Sequence, residues 1–431
     1  MSKQTNHNHG YGTFRDSLRA PIYNWFTYPA GYSYKLVEEK IKEHNLGKNS
    51  WIIDPFVGSG TTSMAAKLAG VNSIGIEAHP FVYQIAKTKT FWEFDLKKLR
   101  EDIKSFTERI MSAKSRDWEK VNLDGKPELL FKCYPTATLK KLYFILALIE
   151  RSKYSEETKN FFRTGLTHTL RTVSTAGTGW PYIAPTKYQG KKIARDVFST
   201  YIPRIEKMLA DIEHIRTLKY PKTKTNIVLG DSRNLSDIKA NSIDLLVTSP
   251  PYLNNFDYAD RTRLEMYFFG HAKTWGEITK KVRNKLMIAA TTQVSKEKFD
   301  REYLNQAIKK TCPELYTTLV DTINTLSKRK LVKGGKKNYD FMVAGYFNDI
   351  FATLQQLARV MKKGSASVWV LGDSAPYGVH IPTEKYIGEL ALGLGFKKFE
   401  TEIIRKRGDK WANNPQRHSV PLQESILTIL K

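Results

Sequence analysis

Short apolar runs alternate with helical patterns along most of this 431-residue chain. Five runs are apolar on both faces, as strands buried in a parallel sheet should be: residues 51–53, 73–76, 226–229, 243–247 and 366–371. Helical spacing is clearest from Val343 to Met361, with Gly364 just beyond it. The alternation predicts an α/β fold built on a mostly parallel sheet. Two last runs, 399–404 and 425–430, predict an antiparallel pair at one sheet edge.

Two long stretches do not follow this alternation. Residues 95–225 are largely helical and rich in Lys and Tyr, and residues 254–338 are polar and basic. We interpret both as helical insertions that add a substrate surface to the core, although extra helical layers would give the same pattern. The core is then expected in residues 1–94, 226–253 and 339–431.

The charge of the chain indicates what kind of partner it meets. Lys and Arg number 69 and Asp and Glu 43, which gives a formal net charge of +26. Such a surplus favours a polyanion, most commonly nucleic acid, but it does not distinguish DNA from RNA. No apolar run is long enough for a membrane span, and residues 1–9 lack the apolar stretch of a secretory signal. With only two cysteines, a cytoplasmic location is expected.

A glycine loop, residues 54–62, follows the first predicted strand. Gly58 and Gly60 let the backbone turn sharply and approach a ligand closely. Thr61 and Thr62 open the next helix, where a hydroxyl can cap free N–H groups and where those groups suit a carboxylate such as that of S-adenosylmethionine. Glu77 ends the second strand, where an acid can accept hydrogen bonds from ribose hydroxyls. The loop lacks the third glycine of NAD-binding proteins and the Gly-Lys-Ser/Thr of nucleoside triphosphatases.

A second motif, Thr248 to Tyr252, follows another predicted strand and reads Thr-Ser-Pro-Pro-Tyr. Two prolines fix φ twice and supply no N–H, so their carbonyls can point into a pocket as acceptors. An aromatic amine needs acceptors for its N–H groups, because its lone pair is delocalised into the ring. Ser249 and the Pro250 carbonyl can accept these bonds, and Tyr252 offers a face for an extruded base. A rigid turn with a buried Tyr would show the same residues.

Together the two motifs resemble those of the DNA amino-methyltransferases, which make N4-methylcytosine and N6-methyladenine. The resemblance implies a Rossmann-like sheet, S-adenosylmethionine as the cofactor and a flipped base of duplex DNA as the substrate. Residues 28–32 resemble the family's cofactor-covering segment, and residues 230–232 a contact to the cofactor's adenine. The implied cofactor-binding residues are Tyr28, Pro29, Ala30, Asp54, Phe56, Gly58, Gly60, Thr61, Thr62, Glu77, Asp231 and Ser232. The implied catalytic residues are Ser249, Pro250, Pro251 and Tyr252.

The first residue of the catalytic tetrapeptide bears on which base is modified. Within the family, Ser-Pro-Pro-Tyr accompanies cytosine N4 more often than adenine N6, so we favour N4 and keep N6 as the alternative. Methylation at cytosine C5 needs a cysteine nucleophile, and neither Cys133 nor Cys312 lies in a Pro-Cys dipeptide. An RNA amino-methyltransferase and a non-catalytic nucleic-acid-binding protein also remain open. A cognate restriction endonuclease is a further candidate partner.

Basic residues in three segments are candidate contacts to the DNA backbone. They are Arg261, Arg263, Lys328, Arg329, Lys330, Arg405, Arg407 and Lys410. Ordinary solvated surfaces would explain most of them equally well. Target recognition is expected in residues 254–338 together with part of 95–225. The histidines show no metal-ligand spacing, so no metal is predicted.

Overall fold

The computed structural model describes residues 10–27, 31–177, 182–185, 195–294, 303–332, 337–407 and 420–431. Its strands are β1 (Trp51–Asp54), β2 (Asn72–Glu77), β3 (Thr225–Leu229), β4 (Ile243–Thr248), β5 (Met361–Gly372), β6 (Lys398–Arg407) and β7 (Leu422–Leu430). They form one sheet in the order β3-β2-β1-β4-β5-β7-β6. All strands predicted from the sequence are therefore present, extended by a few residues at most of their ends.

Helices connect and cover these strands. They are α1 (Tyr34–Glu43), α2 (Thr61–Leu68), α3 (Pro80–Thr90), α4 (Leu96–Met111), α5 (Ser115–Glu119), α6 (Glu128–Cys133), α7 (Thr136–Glu150), α8 (Glu156–Val173), α9 (Val197–Thr217), α10 (Tyr258–Arg261), α11 (Arg263–Phe268), α12 (Trp275–Lys281), α13 (Gln306–Thr311), α14 (Pro313–Val332), α15 (Tyr339–Val360) and α16 (Thr383–Gly393). Across the described residues, no helix is both long and apolar enough to span a bilayer.

The sheet confirms the predicted Rossmann-like architecture. Strands β3, β2, β1, β4 and β5 pair in parallel. Strand β7 runs antiparallel to both of its neighbours, β5 and β6, so the antiparallel pair does close one edge. Within that edge β6 is outermost, and β7 is the single reversed strand of the sheet. The carboxyl ends of β1, β2 and β4 consequently meet the amino end of β7 on one side of the sheet.

Alternation along the strands explains how both faces of the sheet are buried. Ile52 of β1 packs with apolar residues of α1 and α2, whereas its neighbour Ile53 packs on the opposite face with α14, α15 and α16. Strand β3 is an exception. Val228 and Leu229 are 40% and 52% exposed, because β3 is the outer strand and pairs only with β2. The prediction that residues 226–229 are buried on both faces is therefore wrong.

The long helical stretches pack in two different places. Helices α4 and α6 to α9 form a large apolar cluster together with α3 and with residues 259–282. Residues 287–294 and 303–326, in contrast, pack with α15 and α16 beneath the sheet. The described parts of residues 254–338 are therefore shared between two packing layers. The point of division, around Arg283–Lys285, lies beside the cleft described below.

Candidate active site

The carboxyl ends of β1, β2, β3 and β4 border an open cleft. The cleft is lined by residues 31–32, 55–59, 61, 76–78, 230–232, 249, 251, 258 and 285–287. It thus brings the glycine loop, the predicted ribose acid, the predicted adenine contact and the catalytic tetrapeptide into one site.

The glycine loop uses backbone conformations that other residues adopt reluctantly. Gly58 has a φ of 51° and Gly60 a φ of 95°, both in the left-handed region. Gly60 is also the N-cap of α2, so neither threonine caps that helix through its side chain. Thr61, the first residue of the helix, lines the cleft, and Thr62 is buried behind it. The loop therefore presents backbone groups and the hydroxyls of Ser59 and Thr61 to a ligand.

Asp54 organises the loop from behind the cleft. It is 1% exposed and accepts hydrogen bonds from Thr248 Oγ1 (2.6 Å), Thr62 Oγ1 (2.8 Å) and the Phe56 N–H (3.0 Å). Tyr32 donates to the same carboxylate at 3.2 Å. Burial raises the pKa of Asp54, and these donors oppose that rise. Because Thr248 directly precedes the tetrapeptide, Asp54 fixes the glycine loop to the strand that leads into the tetrapeptide.

Glu77 faces the cleft from the end of β2. Its Oε2 accepts from the Gly58 N–H at 3.0 Å, and its Oε1 accepts from the His79 N–H at 2.8 Å. Burial raises the pKa of Glu77 to about 8, against the opposing effect of these two donors. The carboxylate is thereby held rigidly at a cleft wall, with lone pairs left for further donors.

Arg233, which sequence reasoning missed, joins two walls of the cleft to α15. It donates to Asp231 through Nε (2.8 Å) and Nη2 (2.7 Å), to Asp349 Oδ1 on α15 (2.8 Å) and to the Lys285 carbonyl (3.1 Å). Asp349 also accepts from the Ile288 N–H at 2.8 Å. The predicted adenine-contact segment is thus tied to the Lys285–Met287 segment. In the sequence, Arg233 is only an arginine two residues after Asp231, and such a pair is too common to indicate a site.

Only part of the predicted catalytic tetrapeptide lines the cleft. Ser249 and Pro251 line it, whereas Pro250 is buried and Tyr252 is 4% exposed. The Tyr252 hydroxyl donates to Glu424 Oε1 at 2.9 Å and accepts from Ser249 Oγ at 3.5 Å. The aromatic side chain that does line the cleft nearby is Tyr258, which sequence reasoning did not select.

Comparison with known proteins agrees with this arrangement. The family model described as DNA methylase, for the N6 and N4 enzymes, matches residues 2–88, which include the glycine loop and Glu77. This match and the relatives below support a DNA amino-methyltransferase family for this chain.

Relatives extend the family likeness beyond the cofactor loop. The type II methyltransferase M.BsoBI of Geobacillus stearothermophilus is 27% identical, over 92% of this chain and 82% of that protein. The type II methyltransferase M.AvaI of a Nostoc species is 25% identical, over 89% of this chain and 81% of that protein. Shares this large include residues of both insertions, which the motifs alone could not connect with the family.

Most of the described basic residues that are proposed to contact DNA make contacts within the protein. Arg261 is buried, and Arg263 lies 3.3 Å from Asp260 Oδ1 and over the ring of Trp275. Arg405 binds Glu424, and Arg407 lies over Tyr252. These four side chains are therefore held by contacts within the protein.

The basic residues of α14 have a different setting. Lys328 is exposed, and Arg329 donates to the Tyr377 carbonyl at 2.8 Å. Lys330 lies 3.7 Å from Asp340 Oδ1. Tyr377 follows the carboxyl end of β5. These residues therefore lie near the edge of the sheet where the parallel strands end, which is also where the cleft lies. Lys410, and Tyr28, Pro29 and Ala30 of the covering segment, lie outside the described residues.

Among the described residues, His, Cys, Asp and Glu form no group of three that could hold a metal. Burial raises the pKa of the Cys133 thiol to about 11, and it also raises the pKa of Cys312. Neither thiol lines the cleft.

Ser232, the last predicted cofactor residue, lines the cleft and shares a 3.1 Å hydrogen bond with Thr353.

Proposed function

We propose that this chain methylates the exocyclic amine of a flipped base in duplex DNA, with S-adenosylmethionine as the methyl donor and cytosine N4 as the favoured target. The observation that carries the proposal is the single cleft in which Glu77 and the glycine loop face Ser249 and Pro251. An enzyme for this reaction must hold its cofactor and the target amine within one site.

The described residues fit S-adenosylmethionine. Glu77 has lone pairs for two ribose hydroxyls, and the loop before α2 offers backbone N–H groups for a carboxylate. Phe56, Asp231 and Ser232 line the cleft where the adenine would bind. When bound, the cofactor supplies an electrophilic methyl group on a sulfonium. Asp54, Thr62 and Gly60 would support this site indirectly, through the shape of the loop.

The acceptor side of the cleft would prepare the amine. Ser249 Oγ and the Pro250 carbonyl are the proposed acceptors for its two N–H groups. Bonds of this kind favour a pyramidal nitrogen, whose lone pair is then free to attack the methyl carbon. Tyr252 is the stacking residue implied by the family. Tyr258 is a second aromatic candidate, because it lines the cleft.

The surface around the cleft suits a nucleic-acid backbone. Lys285 lines the cleft and is exposed, and Lys328 and Arg329 lie on the same side of the sheet. With the +26 net charge, these residues support phosphate contacts. Residues 254–338 are the proposed target-recognition region, with help from 95–225. The protein is further proposed to act in the cytoplasm on a defined sequence, alongside a cognate endonuclease.

Labelled methyl transfer followed by nucleoside mass spectrometry tests the proposal. Purified protein is incubated with methyl-labelled S-adenosylmethionine and either unmethylated bacterial DNA or total RNA. We expect label in DNA, recovered as N4-methylcytosine. Recovery of N6-methyladenine would correct the base, and label in RNA alone would replace the substrate. An absence of transfer together with an absence of cofactor binding in calorimetry would favour the non-catalytic alternative.

A further inference from the structure

One buried carboxylate lies behind the tetrapeptide and does not line the cleft. Glu424, near the start of β7, is 2% exposed. It lies beside the tetrapeptide because β7 runs antiparallel to β5, which brings its amino end to the carboxyl ends of the other strands. Sequence reasoning could not have connected them, since 172 residues separate Glu424 from Tyr252.

A short series of hydrogen bonds leads from Glu424 to the cleft. Ser249 Oγ, in the cleft wall, lies 3.5 Å from the Tyr252 hydroxyl, which lies 2.9 Å from Glu424 Oε1. Arg405 holds the other end of the series. Its Nε lies 2.5 Å from Glu424 Oε2, and its Nη2 lies 3.2 Å from Oε1.

The chemistry of the groups gives this series one direction. A carboxylate paired with an arginine accepts hydrogen bonds, and the donor groups of Arg405 face both oxygens of Glu424. Tyr252 has a single hydroxyl proton and must donate it to Glu424. Burial, reinforced by the Glu424 charge, raises the pKa of Tyr252, so the phenol keeps its proton. The tyrosine oxygen then accepts the proton of Ser249, and the serine oxygen turns only lone pairs towards the cleft.

We propose that Glu424 is a positioning residue that, through Tyr252, fixes Ser249 as a hydrogen-bond acceptor for the amine of the target base. The inference rests on the proposed function, in which Ser249 accepts from that amine. A serine free to rotate could instead donate to the ring nitrogen next to the amine. That bond would withdraw electron density from the amine and weaken it as a nucleophile.

The surroundings hold the series in place. The Arg407 guanidinium lies 5.3 Å from the centre of the Tyr252 ring and donates to the Asp373 carbonyl at 3.0 Å. On the other side, Gly12 approaches so closely that a Cβ there would lie 1.9 Å from Glu424 Oε2. Tyr252 and Glu424 are therefore both buried and closely surrounded, which favours the hydrogen bond between them.

A double-mutant cycle on the full-length protein tests the inference. Glu424→Gln keeps the shape but adds an N–H donor, which removes the fixed direction, and Tyr252→Phe keeps the ring but interrupts the series. Glu400→Gln, the same change at an exposed carboxylate paired with Lys398, is the matched control. Single-turnover methyl transfer to DNA, cofactor affinity by calorimetry and thermal unfolding are measured for each variant.

We expect Glu424→Gln and Tyr252→Phe each to slow methyl transfer by about 10- to 100-fold, as loss of an outer-shell partner typically does. Cofactor affinity should be unchanged, and the double variant should be no slower than Tyr252→Phe alone. Glu400→Gln should behave as wild type. Rates within about two-fold of wild type for either single variant, or losses that multiply in the double variant, would overturn the inference.

A spectroscopic measurement separates this inference from the proposed function. The ¹³Cζ resonance of Tyr252, identified by its absence in Tyr252→Phe, should move in Glu424→Gln and stay in place in Glu400→Gln. Wild-type protein that transfers no methyl group would refute the proposed function, whereas this resonance would still report on the hydrogen bond. A resonance unmoved by Glu424→Gln would refute the series itself.

Discussion

The two sides of the cleft are built in different ways. The cofactor side comes mainly from one continuous segment, Asp54 to Glu77, in which a strand, a glycine loop, a helix and a second strand follow one another. The acceptor side joins Ser249 and Tyr252 to Lys285–Met287 and to Glu424. Local sequence is therefore enough to form the first side, whereas the second exists only once the sheet is complete.

The two sides also stabilise their buried carboxylates differently. Asp54 and Glu77 are held by hydroxyl and backbone N–H donors, and burial raises the pKa of both groups. Glu424 has the guanidinium of Arg405 beside it. A change of pH should therefore act mainly on the cofactor side, and a change of rate without a change of cofactor affinity should come from the acceptor side.

The largest expected effect is on the acceptor side. Ser249→Ala removes the hydroxyl proposed to accept from the amine and should slow methyl transfer by about 10²- to 10³-fold, the usual cost of one preorganised polar contact. Cofactor affinity should stay within about two-fold of wild type, since such a group acts in the transition state. Single-turnover rates and calorimetry measure the two quantities. A loss of cofactor affinity as large as the loss of rate would show that the two sides are not separate.

On the cofactor side, Glu77→Ala should weaken S-adenosylmethionine binding by about 10- to 100-fold, because it removes charge-assisted bonds to the ribose. The rate at saturating cofactor should change much less. Calorimetric titration of the purified variant measures the affinity. Glu93→Ala, at a half-exposed carboxylate outside the cleft, is the control and should bind normally. Normal binding by Glu77→Ala would mean that the ribose is held elsewhere.

The connection between the sides runs through Asp54. Asp54→Asn should lower the free energy of unfolding by about 1–3 kcal/mol, because an amide cannot accept all the bonds that this buried carboxylate receives. Asp231→Asn makes the same change at a partly exposed carboxylate and should cost less than about 1 kcal/mol. Urea unfolding followed by circular dichroism compares them. Equal losses would contradict the central position assigned to Asp54.

The smallest expected effect is the release of a proton when the cofactor binds. With its pKa raised to about 8, Glu77 is largely protonated at pH 7 in the free protein, and bonds from a ribose favour the carboxylate. Cofactor binding at pH 7 should therefore release roughly half to one proton, and affinity should rise between pH 6 and pH 8. Because the folded pKa lies above its ordinary value of 4.5, this group's contribution to stability is lost as pH rises through 8.

Calorimetry in buffers of different ionisation enthalpy counts that proton. Glu77→Gln, which cannot titrate, is the control and should release none from this position. Equal proton release by wild type and Glu77→Gln would assign the proton to another group. A pH-dependent methyl-transfer rate at saturating cofactor would place the titration on the acceptor side instead.

How much could be predicted from the sequence also differs between features set by local sequence and features set by strand order. Strands and the glycine loop depend on residue types close together in the chain, and their positions are confirmed. Residues 226–229 were expected to be buried because they are apolar, but strand order decides which strand is outermost, and no local pattern records that order. Arg405 and Arg407 look like solvated cations in the sequence, and only the pairing of β6 with β7 turns them towards Tyr252.

By itself the sequence determined the fold class, the cofactor loop with Glu77 and the tetrapeptide, since each depends on short-range geometry: periodicity, glycine conformations and consecutive prolines. The tertiary structure alone decided what supports them. Asp54 became a connection to Thr248 because β1 and β4 are neighbours. Glu424 reached Tyr252 because a reversed strand brings its amino end to the catalytic edge. Contacts of this kind depend on how distant strands are ordered, and hydrophobic patterning leaves that order unspecified.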